Sequence, residues 1–290
     1  MSSKNMVKLK KVGDKMFKCP VCQNALHKEN NTYKCINNHN YDISSYWYTN
    51  LLLANQHHSL NPGDSKEMIN SRVRFFKNDP YKTLKEFLSN LINGLFKQEK
   101  IDFCDIACGE GYYTTFIHQN YPGSINTTGV DISKYGIIEC CKKTKSLKLS
   151  NINFCIGNLS NLPFLDNSFN VLLNCFAPMD VLEFKRVLKD NGYYIRVLPD
   201  KYHLFELKEV LYDNVILNVM KEVNLEGFKL IETYHINDKI LLNNFEQIYD
   251  LFTMTPYYYK SSLSSISKLK KLNSLNLTIA FTILLYKKEN

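Results

Sequence analysis

Phe103-Cys104-Asp105-Ile106-Ala107-Cys108-Gly109-Glu110-Gly111-Tyr112-Tyr113-Thr114 reads as a buried strand that stops at a turn of small residues and restarts as a helix. Twenty residues after Gly111, Gly129-Val130-Asp131-Ile132-Ser133 ends a second strand on an acid. Small residues let the backbone approach a ligand closely, and the helix N-terminus directs N–H groups at an anionic part such as a carboxylate. A carboxylate at the tip of the next strand can accept both hydroxyls of a ribose, so the pair localises a nucleoside.

Outward from this turn, strand and helix patterns alternate. Strands are expected at 101–106, 127–132, 152–156, 169–175, 193–198, 228–236 and 277–286. Helices are expected from about 112, up to about 146, through Val187 and from about His203. Leu84, Phe87, Leu88, Leu91, Ile92 and Leu95 recur at three and four, marking an amphipathic helix that ends near Phe96. Such alternation predicts an α/β fold, a doubly wound, Rossmann-like parallel sheet with helices on both faces. Thr114 stands where a dinucleotide G-x-G-x-x-G frame needs glycine. Asp105, before the turn, suits a cofactor whose methionine end carries an ammonium group, which favours S-adenosylmethionine over NAD. Gly157-Asn158-Leu159, after the third strand, is placed to contact the adenine. The Leu162-Pro163-Phe164 segment that follows reads as a further cofactor wall, or as an ordinary polar turn.

The N-terminal third has a different texture. Cys19-Pro20-Val21-Cys22, Cys35 and His39 are spaced C-x2-C-x12-C-x3-H, a pattern that closes a tetrahedron around one structural Zn²⁺. His27 is a weaker rival to His39, since it falls inside the x12 loop. Binding could supply on the order of 10 kcal/mol to a segment with too few apolar residues to fold alone. Residues 1–18 read as a basic flexible arm, 19–48 as the zinc-binding module, 49–80 as a polar connector with a turn at Asn61-Pro62-Gly63-Asp64, and 81–290 as the cofactor-binding domain.

Composition bounds the rest. In 290 residues, 44% hydrophobic and 22% charged usage excludes a disordered or low-complexity protein. The balance of 36 basic against 28 acidic residues gives +8, which makes polyanions plausible partners. The longest apolar run, 277–286, is about half of what a crossing helix needs, and the N-terminus lacks a signal-peptide core. Nine cysteines, several inside apolar runs, read as reduced thiols of a cytoplasmic protein.

Taken in order, these motifs resemble the bacterial 23S rRNA (guanine-N1)-methyltransferases of the RlmA type. The likeness lies in the zinc pattern, Pro62-Gly63-Asp64-Ser65-x-Glu67-Met68, Cys108-Gly109-Glu110-Gly111-Tyr112-Tyr113-Thr114, Ala177-Pro178, His203-Leu204-x-Glu206-Leu207-Lys208 and Met254-Thr255-Pro256. The resemblance implies a class I methyltransferase sheet, zinc on Cys19, Cys22, Cys35 and His39, and S-adenosylmethionine contacts from Tyr81, Gly109, Glu110 and His203. It also implies 23S rRNA as partner, a hairpin-loop guanine as target and a homodimer. The family divides into two site specificities, one of them linked to macrolide resistance.

The chain departs from the family pattern at Ala107, where the family has glycine, and at Arg72-Val73-Arg74, where the second cation of an arginine pair is displaced by one. That pair is a candidate RNA clamp. Tyr112, Tyr113, Phe176 and Trp47 are candidate faces for a flipped base. Asp64, Asp180 and Glu206 are candidate acceptors for the guanine N1 proton. Two rival readings are a small-molecule methyltransferase and a zinc-containing RNA-binding protein whose cofactor pocket has decayed at Ala107.

Overall fold

A computed structural model describes residues 16–56, 62–219 and 223–289. The lysines expected to form the basic arm before Met16, and Asn61 of the connector turn, lie outside these residues.

The chain opens with a three-stranded antiparallel sheet, β1 (His27–Glu29), β2 (Thr32–Lys34) and β3 (Asn40–Asp42). Then come β4 (Tyr48–Asn50), α1 (Lys66–Phe76) and α2 (Lys82–Phe96). The alternation read from sequence follows: β5 (Ile101–Ile106), α3 (Tyr112–Asn120), β6 (Ile125–Asp131), α4 (Lys134–Ser146) and β7 (Ile152–Ile156). It continues with β8 (Phe169–Cys175), α5 (Val181–Val187), β9 (Leu188–Pro199) and α6 (Phe205–Leu211). The chain closes with β10 (Phe228–Leu242), α7 (Phe245–Thr253), α8 (Leu263–Leu269) and β11 (Leu275–Lys288).

Eight strands form one sheet in the order β10-β11-β9-β8-β5-β6-β7-β4. The order reverses at β5, whose carboxyl end is therefore the switch point where such sheets bind ligands. Six strands, β5 to β9 as expected and β4 besides, are joined by parallel ladders, but β11 runs antiparallel to both β9 and β10, so that it alone of the eight points the other way. This corrects an all-parallel reading: α7 and α8 bring the chain back so that β11 inserts between β9 and β10.

Alternating side chains divide the core between the two faces, as a sheet buried on both sides requires. Phe103 and Ile195 pack with Leu84, Leu88 and Ile92 of α2, whereas Cys104 and Tyr194 face the opposite side with Phe164 and Phe184. That second side also buries Leu26 and Tyr33 from the zinc module and Phe17 before it, so the last residues of the stretch expected to be a flexible arm are packed in the core. Phe17 stacks on Phe164 at 5.9 Å, and two backbone bonds, Lys18 N–H to Pro163 O and Leu165 N–H to Met16 O, each 2.9 Å, fasten the module to the 162–165 segment.

Residues read as module end and connector are built into the main domain. β4 pairs with β7 at the sheet edge, and α1 carries Arg74, which ion-pairs with Asp250 of α7. Ser65 starts α1 by accepting from Met68 N–H at 3.2 Å, a side-chain cap that satisfies one orphan donor of the first turn.

Candidate functional site

The turn between β5 and α3 has the shape its composition predicts. Ala107, Gly109 and Gly111 take φ of +58°, +56° and +76°, so the turn forms with alanine in place of the first glycine, at the cost of left-handed backbone for a residue with a Cβ. Gly136 of α4 has no Cβ to fend off the turn: one built there would sit 2.6 Å from Gly109 O. The second strand's acid locks the turn. Gly109 N–H donates to Asp131 Oδ2 at 2.8 Å and Ser133 N–H to Oδ1 at 2.7 Å. Each oxygen keeps a second lone pair for a ligand hydroxyl. Gly157 N–H donates to Asp131 O at 3.1 Å, bringing Asn158 and Leu159 beside the same acid. Asn158 Oδ1 accepts from Ser160 N–H at 3.0 Å, and Leu159 packs on the core of the second face.

Four carboxylates surround this turn. Burial pushes Asp105 up to about 7, against the bond it accepts from the Thr114 hydroxyl. Burial likewise raises Asp131 and Glu110, the latter opposed by the Arg72 guanidinium. Asp64 is held by Arg72 at 2.9 Å, and its carbonyl accepts from the Ser133 hydroxyl at 2.7 Å, which fixes the start of the connector helix over the switch point.

Tyr81 and His203 meet on the other side, ring centroids 6.0 Å apart, around Phe281. Burial drives His203 down to about 3, so the ring is neutral, and its Nδ1 accepts from Ala280 N–H at 3.2 Å, leaving the proton on Nε2.

S-adenosylmethionine fits these residues. Two buried polar atoms, Tyr113 Oη on α3 just after the turn and Asn174 Oδ1 at the carboxyl end of β8, have no partner among the described residues. Orphaned polar groups in such a place are expected where a ligand completes them. Asp131 with Asn158 and Leu159 would hold its adenosine, and Asp105, Glu110 and the 109–111 turn its amino-acid end.

Zinc fits its site as well. The ligand atoms of Cys19, Cys22, Cys35 and His39 all lie within 4.8 Å of one another. Cys22 and Cys35 Sγ are 3.6 Å apart, and His39 Nδ1 is 3.5 Å from Cys19 Sγ and 3.3 Å from Cys35 Sγ. Zn–S bonds of about 2.3 Å give tetrahedral edges of this size. The Asn24 side-chain amide, 3.4 Å away, helps hold the Cys22 thiol down to about 5, favouring the thiolate a metal needs. His27, on β1, is not in the cluster. Tyr41 Oη, 3.2 Å from Cys19 Sγ, is a supporting contact that ligand spacing does not reveal.

Several expected roles need correction. Glu206 accepts from Thr278 N–H at 2.8 Å and from its hydroxyl at 2.6 Å, and Asp180 caps α5 through Glu183 N–H at 3.1 Å. Both carboxylates thus hold local structure, and of the three candidate proton acceptors only Asp64 stands at the turn. Tyr112 and Tyr113 are buried, Tyr112 stacked on Phe76 at 4.0 Å, so neither offers a face to a base; Phe176 and Trp47 do, at 41% and 69% exposure. Arg74 makes a two-pronged bond to Asp250 and Arg72 lies over the cofactor turn, so the pair is no RNA clamp.

Among the described residues no helix is long and apolar enough to cross a membrane. Residues 17–60 match the family model described as "RlmA, N-terminal", a zinc ribbon. The chain is 27% identical over 285 residues to the Bacillus subtilis protein named "Putative 23S rRNA (guanine-N(1)-)-methyltransferase YxjB", covering 93% of this chain and 96% of that one. It is 24% identical over 196 residues to the 23S rRNA (guanine(748)-N(1))-methyltransferase of Streptomyces fradiae, covering 67% of each. The solved YcgJ protein of Bacillus subtilis superposes with a TM-score of 0.47 at 15% identity, over 70% of this chain and 98% of that one. Residues 97–255, more than half of the chain, match the family model described as "Methyltransferase domain", and the chain belongs to this methyltransferase family, with an RlmA-type zinc ribbon ahead of the catalytic sheet.

Proposed function

We propose that the protein methylates N1 of a guanine in a hairpin loop of 23S rRNA, with S-adenosylmethionine as donor and the zinc module helping to grip the RNA. The observation that carries this reading is the joining of an RlmA-type zinc ribbon to a methyltransferase sheet whose 162–165 segment it grips directly. A small-molecule methyltransferase would leave that module without a task. A decayed pocket is disfavoured by Ala107 itself, which adopts the left-handed turn.

The cofactor supplies an electrophilic methyl group on a sulfonium. The chain's part is alignment and exclusion of water, which suffices for much of the acceleration in a displacement of this kind. Asp131 would hold the ribose and Asp105 and Glu110 the ammonium of the donor, and the acceptor base would enter beside the carboxyl end of β8. There Phe176 takes φ of +58° and exposes its ring, stacked parallel to His203 at 6.3 Å. Left-handed backbone at a bulky residue is costly and concentrates where function requires it. Phe176 is placed to hold an extruded guanine face-on, and Trp47, exposed next to β4, to hold a neighbouring base. The division is a zinc module over 19–48, a connector over 49–80 that carries Asp64 and Arg72 to the turn, and a methyltransferase domain from 81 to which β4 and α1 of the earlier segments are joined.

Primer extension on rRNA from cells with and without the gene tests the reading, because N1 methylation blocks Watson–Crick pairing. A gene-dependent stop at one guanine is expected; identical stops at every guanine would defeat it.

A further inference from the structure

We infer that Arg72, from the connector helix α1, is the residue that binds the carboxylate of the cofactor's methionine end; the inference rests on the S-adenosylmethionine reading above. Its guanidinium projects from α1 over the turn at the β5 switch point and is only 25% exposed. Nη1 lies 2.8 Å from the point a Cβ on Gly109 would occupy. The glycine therefore keeps open the space into which this cation reaches. Nη2 pairs with Asp64 at 2.9 Å and Nε lies 3.7 Å from Glu110 Oε2, so two acids hold the fork at its edges and aim its remaining face over the turn.

The charge pattern around the turn gives this cation a purpose. Asp64, Asp105, Glu110 and Asp131 converge there, and such a cluster attracts an ammonium but repels a carboxylate. A zwitterionic amino acid bound at the turn needs a cation for its other charge. Arg72 is the guanidinium the structure sets over the Gly109 backbone, and guanidinium forks match carboxylates in two parallel bonds. The connector would thereby belong to the cofactor site, and Arg72 would discriminate ligands by their amino-acid end.

The test is calorimetric binding of S-adenosylhomocysteine and of 5′-methylthioadenosine, which lacks the amino-acid end, to the full chain and to Arg72→Met and Arg72→Lys. Arg72→Met is expected to weaken S-adenosylhomocysteine on the order of tenfold to a hundredfold, the range of hydrogen bonds to charged groups, while methylthioadenosine changes by less than about twofold. Arg72→Lys should recover part of the loss. Retained methylthioadenosine binding doubles as the check that the site is folded. Equal losses for both ligands, or no loss for either, would overturn the assignment. Failure of the unsubstituted protein to bind either ligand would instead bring down the methyltransferase reading on which it rests.

Discussion

Gly109, in the turn after β5, and Asp131, at the end of β6, are joined by one hydrogen bond of 2.8 Å from backbone N–H to carboxylate. The bond couples the shape of the turn to the position of the acid, so the two halves of a nucleoside site are set in one step. Asp131→Ala removes the ribose acceptor and frees the turn. Affinity for S-adenosylhomocysteine should fall by at least about tenfold. Zinc content should stay at one per chain, measured by atomic absorption; unchanged affinity would remove Asp131 from the site.

Ala107 holds φ of +58° with a Cβ. Replacing it with glycine relieves the left-handed strain, worth roughly 1–2 kcal/mol, but adds unfolded-state entropy worth about 0.4–1 kcal/mol. Ala107→Gly is therefore expected to stabilise by a few tenths to about 1 kcal/mol, read as a rise in denaturant midpoint. A clear fall would mean that the Ala107 methyl makes a packing contact that outweighs the strain.

Asp105 titrates near 7 because burial disfavours its charge. Its folded value exceeds the unfolded one, so the unfolded chain ionises first and this residue's contribution to stability declines as pH rises from the ordinary carboxylate range to about 7. Binding runs the other way. A ligand ammonium favours the ionised acid, so S-adenosylhomocysteine should bind more tightly as pH rises through about 7, and Asp105→Asn should flatten that rise. An identical profile in the variant would show that another group titrates.

Zinc removal should loosen the module and spare the sheet. Cys35→Ser, or a strong chelator, is expected to expose residues 19–43 to protease, since apart from Leu26, Tyr33 and Ile43 few side chains of that stretch reach the core of the second face. Methylthioadenosine binding should persist, because β5 and β6 do not depend on the metal. A chelated protein with an unchanged digestion pattern would contradict a structural zinc.

Phe176→Ala removes an exposed ring without touching the ribose site. The KM for RNA should rise several-fold, within the roughly 1–3 kcal/mol of a stacked base, and the cofactor affinity should hold. A loss confined to cofactor binding would place Phe176 in the other subsite.

What the sequence disclosed was local. The glycine turn, the acid twenty residues on and the cysteine spacing are short-range chemistry, and the structure brings their residues together. What it concealed depends on partners far along the chain. Arg74 meets Asp250 across 176 positions, which no spacing rule reveals. β4 has three residues, too few to show a period, and joins the sheet only because β7 presents an edge. Tyr112 and Tyr113 look like binding aromatics beside a ligand turn, yet α3 packs them against Phe76 and the core. Arg72 reads in the sequence as half of an RNA clamp, and only the course of α1 over Gly109 turns it to the cofactor site.

The most direct measurement incubates the purified protein and S-adenosylmethionine with unmodified 23S rRNA, then maps the product by reverse transcription. A single new stop at a hairpin-loop guanine, present with the native chain and absent with Asp131→Ala, is the predicted result. Unaltered extension through every guanine, with cofactor bound and zinc in place, would contradict the account.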